Sequence, residues 1–230
     1  MFTPSTTASD RRHPLSTTGG RASRRPIVSG YSLLELTVGL GIILAVAAIT
    51  IVSVQRAIRS LRLHGAAADY ANLLQNARIR AVKDDKYYAV LTDTSVNPPI
   101  AYVDINGSGT YDNGEPMMDF RTNTNPAPFS SGPSVANLKM QFLPPTPSGQ
   151  ASLAAGGGPP TFGSRGLPCT PVTGATGSTI CPYLTPPNFT PTSFITFIQD
   201  NTGTWSAVTV TPAGRIRQWS YDNGNWVPLN

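Results

Sequence analysis

The chain has 230 residues, of which only 13% are charged, with 21 glycines and 22 prolines, a composition that favours strands and loops over many helices. Its formal charge is +5, but residues 1–30 hold Arg11, Arg12, Arg21, Arg24 and Arg25 against Asp10 alone. Of 17 basic and 12 acidic residues this leaves 12 and 11, a net of +1, so bulk charge gives the rest of the chain no pull on nucleic acid. Two histidines, His13 and His64, form no Ser-His-Asp set, no Cys/His pair and no zinc spacing, and no phosphate loop is present; the chain reads as a non-enzyme.

Residues 1–29 are rich in Ser, Thr, Arg and Pro with little apolar content, the composition of a disordered leader. A different chemistry follows. Residues 36–54 are nineteen positions without charge or proline, close to the ~20 apolar residues a helix needs to cross a hydrocarbon core. Glu35 stands at the start of that run. A carboxylate near membrane depth costs roughly 2.5–3.5 kcal/mol on insertion scales, so it calls for a partner. Two plainer readings fit the apolar run: a secretory signal with an A-x-A site at Ala45-Val46-Ala47, or a simple anchor. Both leave Glu35 without a role.

The order Gly30, Tyr31, Ser32, Leu33, Leu34, Glu35 and then the apolar run resembles the class III signal of type IV pilins and pseudopilins. The resemblance implies that a prepilin peptidase cuts between Gly30 and Tyr31 and methylates the new N-terminus. It also implies that Glu35 pairs with the terminal ammonium of a neighbouring subunit, which relieves an unpaired charge in lipid. The expected organisation is a leader at 1–30, a transmembrane half-helix at 31–54, an amphipathic half-helix at 55–84 and a β-rich head at 85–230. The arginine-rich leader stays cytoplasmic by the positive-inside rule, which puts the head in the periplasm and the protein in a bacterial inner membrane as a single-pass subunit.

The helical pattern continues past the apolar run. Ala57, Ile58, Leu61, Ala68, Ala71, Leu74, Ala77 and Ala81 recur at helical spacing among Arg56, Arg59, Arg62 and Arg80, and no proline occurs over 31–84. A half-buried helix lying on a sheet is expected, with His64 on its surface. From Lys86 the period changes to two: Tyr88, Val90 and Thr92 alternate with Ala89, Leu91 and Asp93, and 101–103 follows after Pro98-Pro99, which predicts antiparallel strands. The long helix, this strand pair and the VDINGSGTYDNGEP element together resemble the GspH/FimT branch of pseudopilins. The fold class expected is α+β, a long N-terminal helix followed by an antiparallel β-sandwich-like head.

Within that element, Asp104, Asn106, Ser108, the Thr110 carbonyl, Asp112 and Glu115 fall at the spacing of a twelve-residue calcium loop, with Gly109 at the sharp turn. Asn-Gly and Asp-Asn-Gly are equally ordinary hairpin chemistry, so calcium and a plain turn both fit.

Residues 122–192 carry fourteen of the 22 prolines and read as a loop-rich insertion between sheets, in which only 135–143 has strand character. Cys169 and Cys181 are an even pair in an exported region, which favours a disulfide over two free thiols, closing a short loop worth ~3 kcal/mol. Strands are expected again over 194–198, 205–211 and 215–221. There, Arg215 and Arg217 share a face with Trp219 and Tyr221 while Ile216 points the other way. Paired cations beside aromatics suit a nucleic-acid backbone with stacking bases, and also suit a solvated surface or a subunit contact. Gly214, Arg215 and Arg217 resemble the glycine-arginine-any-arginine motif of FimT-type minor pilins, which implies DNA binding by Arg215 and Arg217; Trp219 joins them as the stacking candidate on the same strand face. The resemblance as a whole implies a minor pseudopilin or minor pilin of a type II secretion system or type IV pilus. Its partners would be other pilins, the prepilin peptidase, the inner-membrane assembly platform and, in the second reading, DNA; no cofactor is implied beyond the calcium alternative.

Overall fold

The computed structural model describes residues 30–120, 124–127, 132–143, 154–156, 158–173, 179–181 and 192–229. The predicted leader over 1–29 and much of the predicted insertion lie outside the described residues. The chain divides into two compact units with the boundary after Ala48, and the first helix, α1 (Leu33–Asp84), enters both.

Nothing between residues 31 and 84 breaks a helix, and α1 ends where Asp85 turns to φ 50 and Lys86 N–H reaches back to the Ala81 carbonyl. In the first unit its apolar side chains stand exposed; Leu33, Ile43 and Leu44 are each more than 60% accessible. In the second unit the inner face of α1 is built from Leu63, Ala66, Ala67, Tyr70, Ala71, Leu74, Ala77 and Ala81, all buried at helical spacing. Small alanines let the backbone lie close on the strands. This corrects the expected face at its N-terminal end, because Ile58 and Leu61 remain exposed at 42% and 70% and packing starts only at Leu63.

Two antiparallel sheets follow. The first has the order β3-β2-β1-β6, made of β1 (Tyr88–Asp93), β2 (Ile100–Asp104), β3 (Met117–Asp119) and β6 (Thr161–Phe162). The second has the order β12-β11-β10-β9-β4, made of β4 (Thr124–Ala127), β9 (Thr192–Asp200), β10 (Trp205–Val210), β11 (Ile216–Asp222) and β12 (Asn225–Leu229), with β5 (Ala154–Gly156) parallel to β9. A two-stranded ribbon, β7 (Val172–Thr173) with β8 (Thr179–Ile180), completes the described strands. The α+β class is therefore observed: one long N-terminal helix plus antiparallel sheets. The insertion is more than a loop, since it supplies strands to both sheets.

One core joins α1 to both sheets, through Tyr88, Val90, Val103 and Phe162 from the first and Phe194, Ile198, Val208 and Val210 from the second. Tyr70 is its fully buried tyrosine. Its hydroxyl lies 3.2 Å from Thr196 Oγ1, and full burial pushes the phenol up to about 12 despite that hydrogen bond. His64 is half-buried instead of lying on the surface, with Nε2 3.3 Å from Ser220 Oγ of β11.

The opposite face of the second sheet has its own core of Ile195, Phe197, Ala207, Trp219 and Trp226, capped by Leu138 and Phe142. Those two belong to α2 (Val135–Phe142), so the strand expected over 135–143 is a helix. The physical reason is local. Ala136, Leu138, Lys139, Met140 and Gln141 are good helix formers, and Leu138 and Phe142, four apart, land on one face. Trp226 Nε1 donates to the Pro133 carbonyl at 2.9 Å and holds the entry to α2 against β12.

Candidate functional site

The predicted processing junction lies at the start of α1. Among the described residues, a Cβ on Gly30 would meet nothing within 4 Å, so their packing gives no reason for a glycine there. Tyr31 is 76% exposed, and Glu35 sits exposed in the first helical turn, where the partial positive charge of the helix end favours an anion. Thr37 Oγ1 donates to the Leu34 carbonyl at 2.9 Å and Ser53 Oγ to the Ile49 carbonyl at 3.4 Å. Those two hydroxyls are thus satisfied within the helix. By length and composition α1 is able to cross a membrane.

The loop of residues 104–115 joins β2 to β3, and its ligand-type oxygens serve the loop's own backbone. Asp104 Oδ1 accepts from the N–H groups of Gly107 and Ser108 at 2.7 and 3.1 Å, and Oδ2 from Gly109 at 3.0 Å. Glu115 accepts from Ile105 N–H at 2.8 Å and Asp112 N–H at 3.1 Å. Asn106 Nδ2 and Ser108 Oγ both donate to Asp112 Oδ2 at 2.8 Å, and these two bonds hold the Asp112 carboxyl below the usual carboxylate range. Ser108 Oγ lies 2.9 Å from the Thr110 carbonyl, which draws Thr110 into the same network. Gly107, Gly109 and Gly114 take positive φ of 75°, 76° and 102°, which only glycine adopts freely. Tyr102 closes the loop by donating to the Gly109 carbonyl at 3.0 Å, and its phenol is raised by burial first and by the neighbouring carboxylates second. All six predicted oxygen donors therefore belong to one network. Among the described residues, no group of three or more His, Cys, Asp or Glu side chains is arranged to hold a metal ion.

Arg215 and Arg217 line a cleft of about 360 Å³ with Ala71, Ile216, Gln218, Pro228 and Leu229. Arg215 is exposed and Arg217 half-buried. The predicted alternation along β11 holds, with Ile216 packed on the α1 side and Trp219 on the other. Trp219 does not belong to a nucleic-acid surface, however. It is only 1% exposed beneath α2, with Nε1 bonded to Thr209 Oγ1 at 2.9 Å, so no base can reach its ring. Tyr221 is half-buried against Trp226, ring centroids 5.0 Å apart.

Gly214 has a structural task that the sequence pattern does not reveal. At φ 76 it turns the chain from β10 into β11, and a Cβ there would lie 2.8 Å from the Gly166 carbonyl oxygen and 3.2 Å from Arg78 Cζ. Arg78 of α1 bonds both turns, Nε to the Gly166 carbonyl and Nη1 to the Gly214 carbonyl, each at 2.9 Å. The Arg78 clamp is the main feature that residue patterns miss; its only sequence signal is a basic residue one position after the buried Ala77. Cys169 and Cys181 are joined in a disulfide with Cα atoms 5.6 Å apart, tying β8 to the segment that bonds Thr161 of β6.

No family model, curated protein or solved structure matches this chain.

Proposed function

We propose that this chain is a pilin-like subunit, a minor pseudopilin or minor pilin of the GspH/FimT branch. In this reading it is cut between Gly30 and Tyr31, methylated on Tyr31, and assembled through α1 into a type II secretion pseudopilus or type IV pilus. One observation carries the reading. A glycine that packing among the described residues does not require precedes a long, uncovered apolar helix whose first turn holds its only acid before Asp69, Glu35. A membrane helix with a lone carboxylate at its start needs a neutralising neighbour, and the N-terminal ammonium of a second subunit is chemically suited to supply one. The α+β head, with an antiparallel sheet on the second half of α1, supports the same reading.

The test is Glu35→Ala in a strain that assembles the filament. Membrane insertion and cleavage should be normal, while the subunit is absent from sheared filaments. Normal incorporation would remove the assembly role of Glu35.

A second reading, a DNA-holding minor pilin, rests on Arg215 and Arg217 lining one cleft. It now stands on those two cations without Trp219. Arg215→Ala/Arg217→Ala should abolish retardation of DNA by the full chain at low salt; unchanged retardation ends this reading.

A further inference from the structure

Residues 55–62 of α1 belong neither to the uncharged run nor to the head's core. Arg56, Arg59 and Arg62 are exposed there, three apart. Residues three apart lie near one another on a helix, so the three guanidinium groups spread over one broad arc of it. Between them stand Ile58 and Leu61, 42% and 70% exposed, and Val54, 49% exposed, leads back into the apolar run. No acidic residue lies between Glu35 and Asp69, so none of the three arginines has a carboxylate within four positions on the helix. A solvated helix surface rarely combines uncompensated cations with large exposed aliphatic side chains; a helix meeting a lipid interface does.

We propose that Arg56, Arg59 and Arg62 form a binding surface for anionic phospholipid headgroups, with Ile58 and Leu61 inserted beside them. The inference rests on the reading of α1 as a membrane-crossing helix. Nineteen uncharged residues fill the hydrocarbon core, and the first charge after them, Arg56, arrives at headgroup level. Guanidinium groups bind phosphate through paired N–H donors, and long arginine stems leave apolar atoms in the interface while the charge reaches the phosphate. The surface sets how deep α1 sits and brings the bilayer interface up to Leu63, where the head begins to pack.

The test uses the full chain in a neutral detergent micelle, titrated with phosphatidylglycerol or phosphatidylcholine and read by native mass spectrometry. Phosphatidylglycerol adducts should dominate and weaken as salt rises. Each arginine near an anionic surface is worth about fivefold, so Arg56→Gln/Arg59→Gln/Arg62→Gln should lower phosphatidylglycerol affinity roughly a hundredfold and leave phosphatidylcholine unchanged. Lys83→Gln, also exposed on α1, should change neither. Equal retention of the two lipids by the unaltered chain overturns the proposal, as does a triple variant that keeps its phosphatidylglycerol. If the triple variant keeps lipid but loses cross-linking between copies, the arginines face a carboxylate of a second subunit and the proposal also falls. Extraction by alkaline carbonate separates this from the parent reading: a chain that does not cross the membrane is released, whatever its lipid preference.

Discussion

Gly214→Ala is the substitution that most directly probes how the head is held to α1. An L-residue at φ 76 costs about 1–2 kcal/mol by itself. The new Cβ, 2.8 Å from the Gly166 carbonyl oxygen, also forces that backbone or the Arg78 guanidinium to move. Weakening one charged hydrogen bond of the Arg78 pair costs a further ~1.5–3 kcal/mol. The expected loss is about 3 kcal/mol, or roughly 1 M in urea midpoint for a protein of this size. Gly224→Ala is the matched control: its φ is 84, but a Cβ there meets nothing within 4 Å, so only the conformational cost of about 1 kcal/mol applies. Tryptophan fluorescence of the full chain in a mild detergent reads both variants, because all three tryptophans lie in the head. Equal midpoints for the two would refute the clamp.

Four further outcomes follow from the same structure. Trp219→Ala should destabilise the head by ~3–5 kcal/mol through its cavity under α2, whereas Trp219→Phe should cost about 1 kcal/mol through the bond to Thr209 and leave any DNA retardation intact. Reducing Cys169–Cys181, twelve residues apart, should lower stability by ~3 kcal/mol in a denaturant titration; no change would show that the insertion is held without it. Tyr70 is neutral when folded up to about 12 but ionises near 10 when unfolded, so its contribution is complete below pH 10 and is lost as pH rises toward 12. Tyr70→Phe should flatten that part of the stability–pH curve, and an unchanged slope would contradict the burial argument. Because the 104–115 loop already satisfies its own donors and acceptors, a chelator should leave the melting temperature unchanged; a clear fall on chelation would assign the loop to calcium.

Much of the fold is legible without coordinates, and the exceptions share a cause. The end of α1 at Asp84, the pair β1–β2 and the three long strands β9, β10 and β11 follow from an unbroken helical period and then from alternation. The strands β4, β5 and β6 are two to four residues long, so their identity comes from partners far along the chain and no local pattern announces it. The burial of Trp219 is hidden for a linked reason. Its face on β11 is readable, but its cover is α2, whose sequence suits a strand by hydrophobicity and a helix by propensity. Local helix propensity decides between them, and the i,i+4 pair Leu138 and Phe142 then packs over Trp219. The buried stretch of α1 shows the same limit: period locates the stripe, while only the sheets beneath determine that it begins at Leu63.

The junction at Gly30 and Tyr31 is where the proposed function stands or falls. Intact-mass and N-terminal peptide spectrometry of the protein recovered from its native membranes reads it in one measurement. The account predicts an N-terminal residue at Tyr31 carrying one added methyl group. An N-terminus at Ala48, or an uncut chain beginning at Met1, would contradict it.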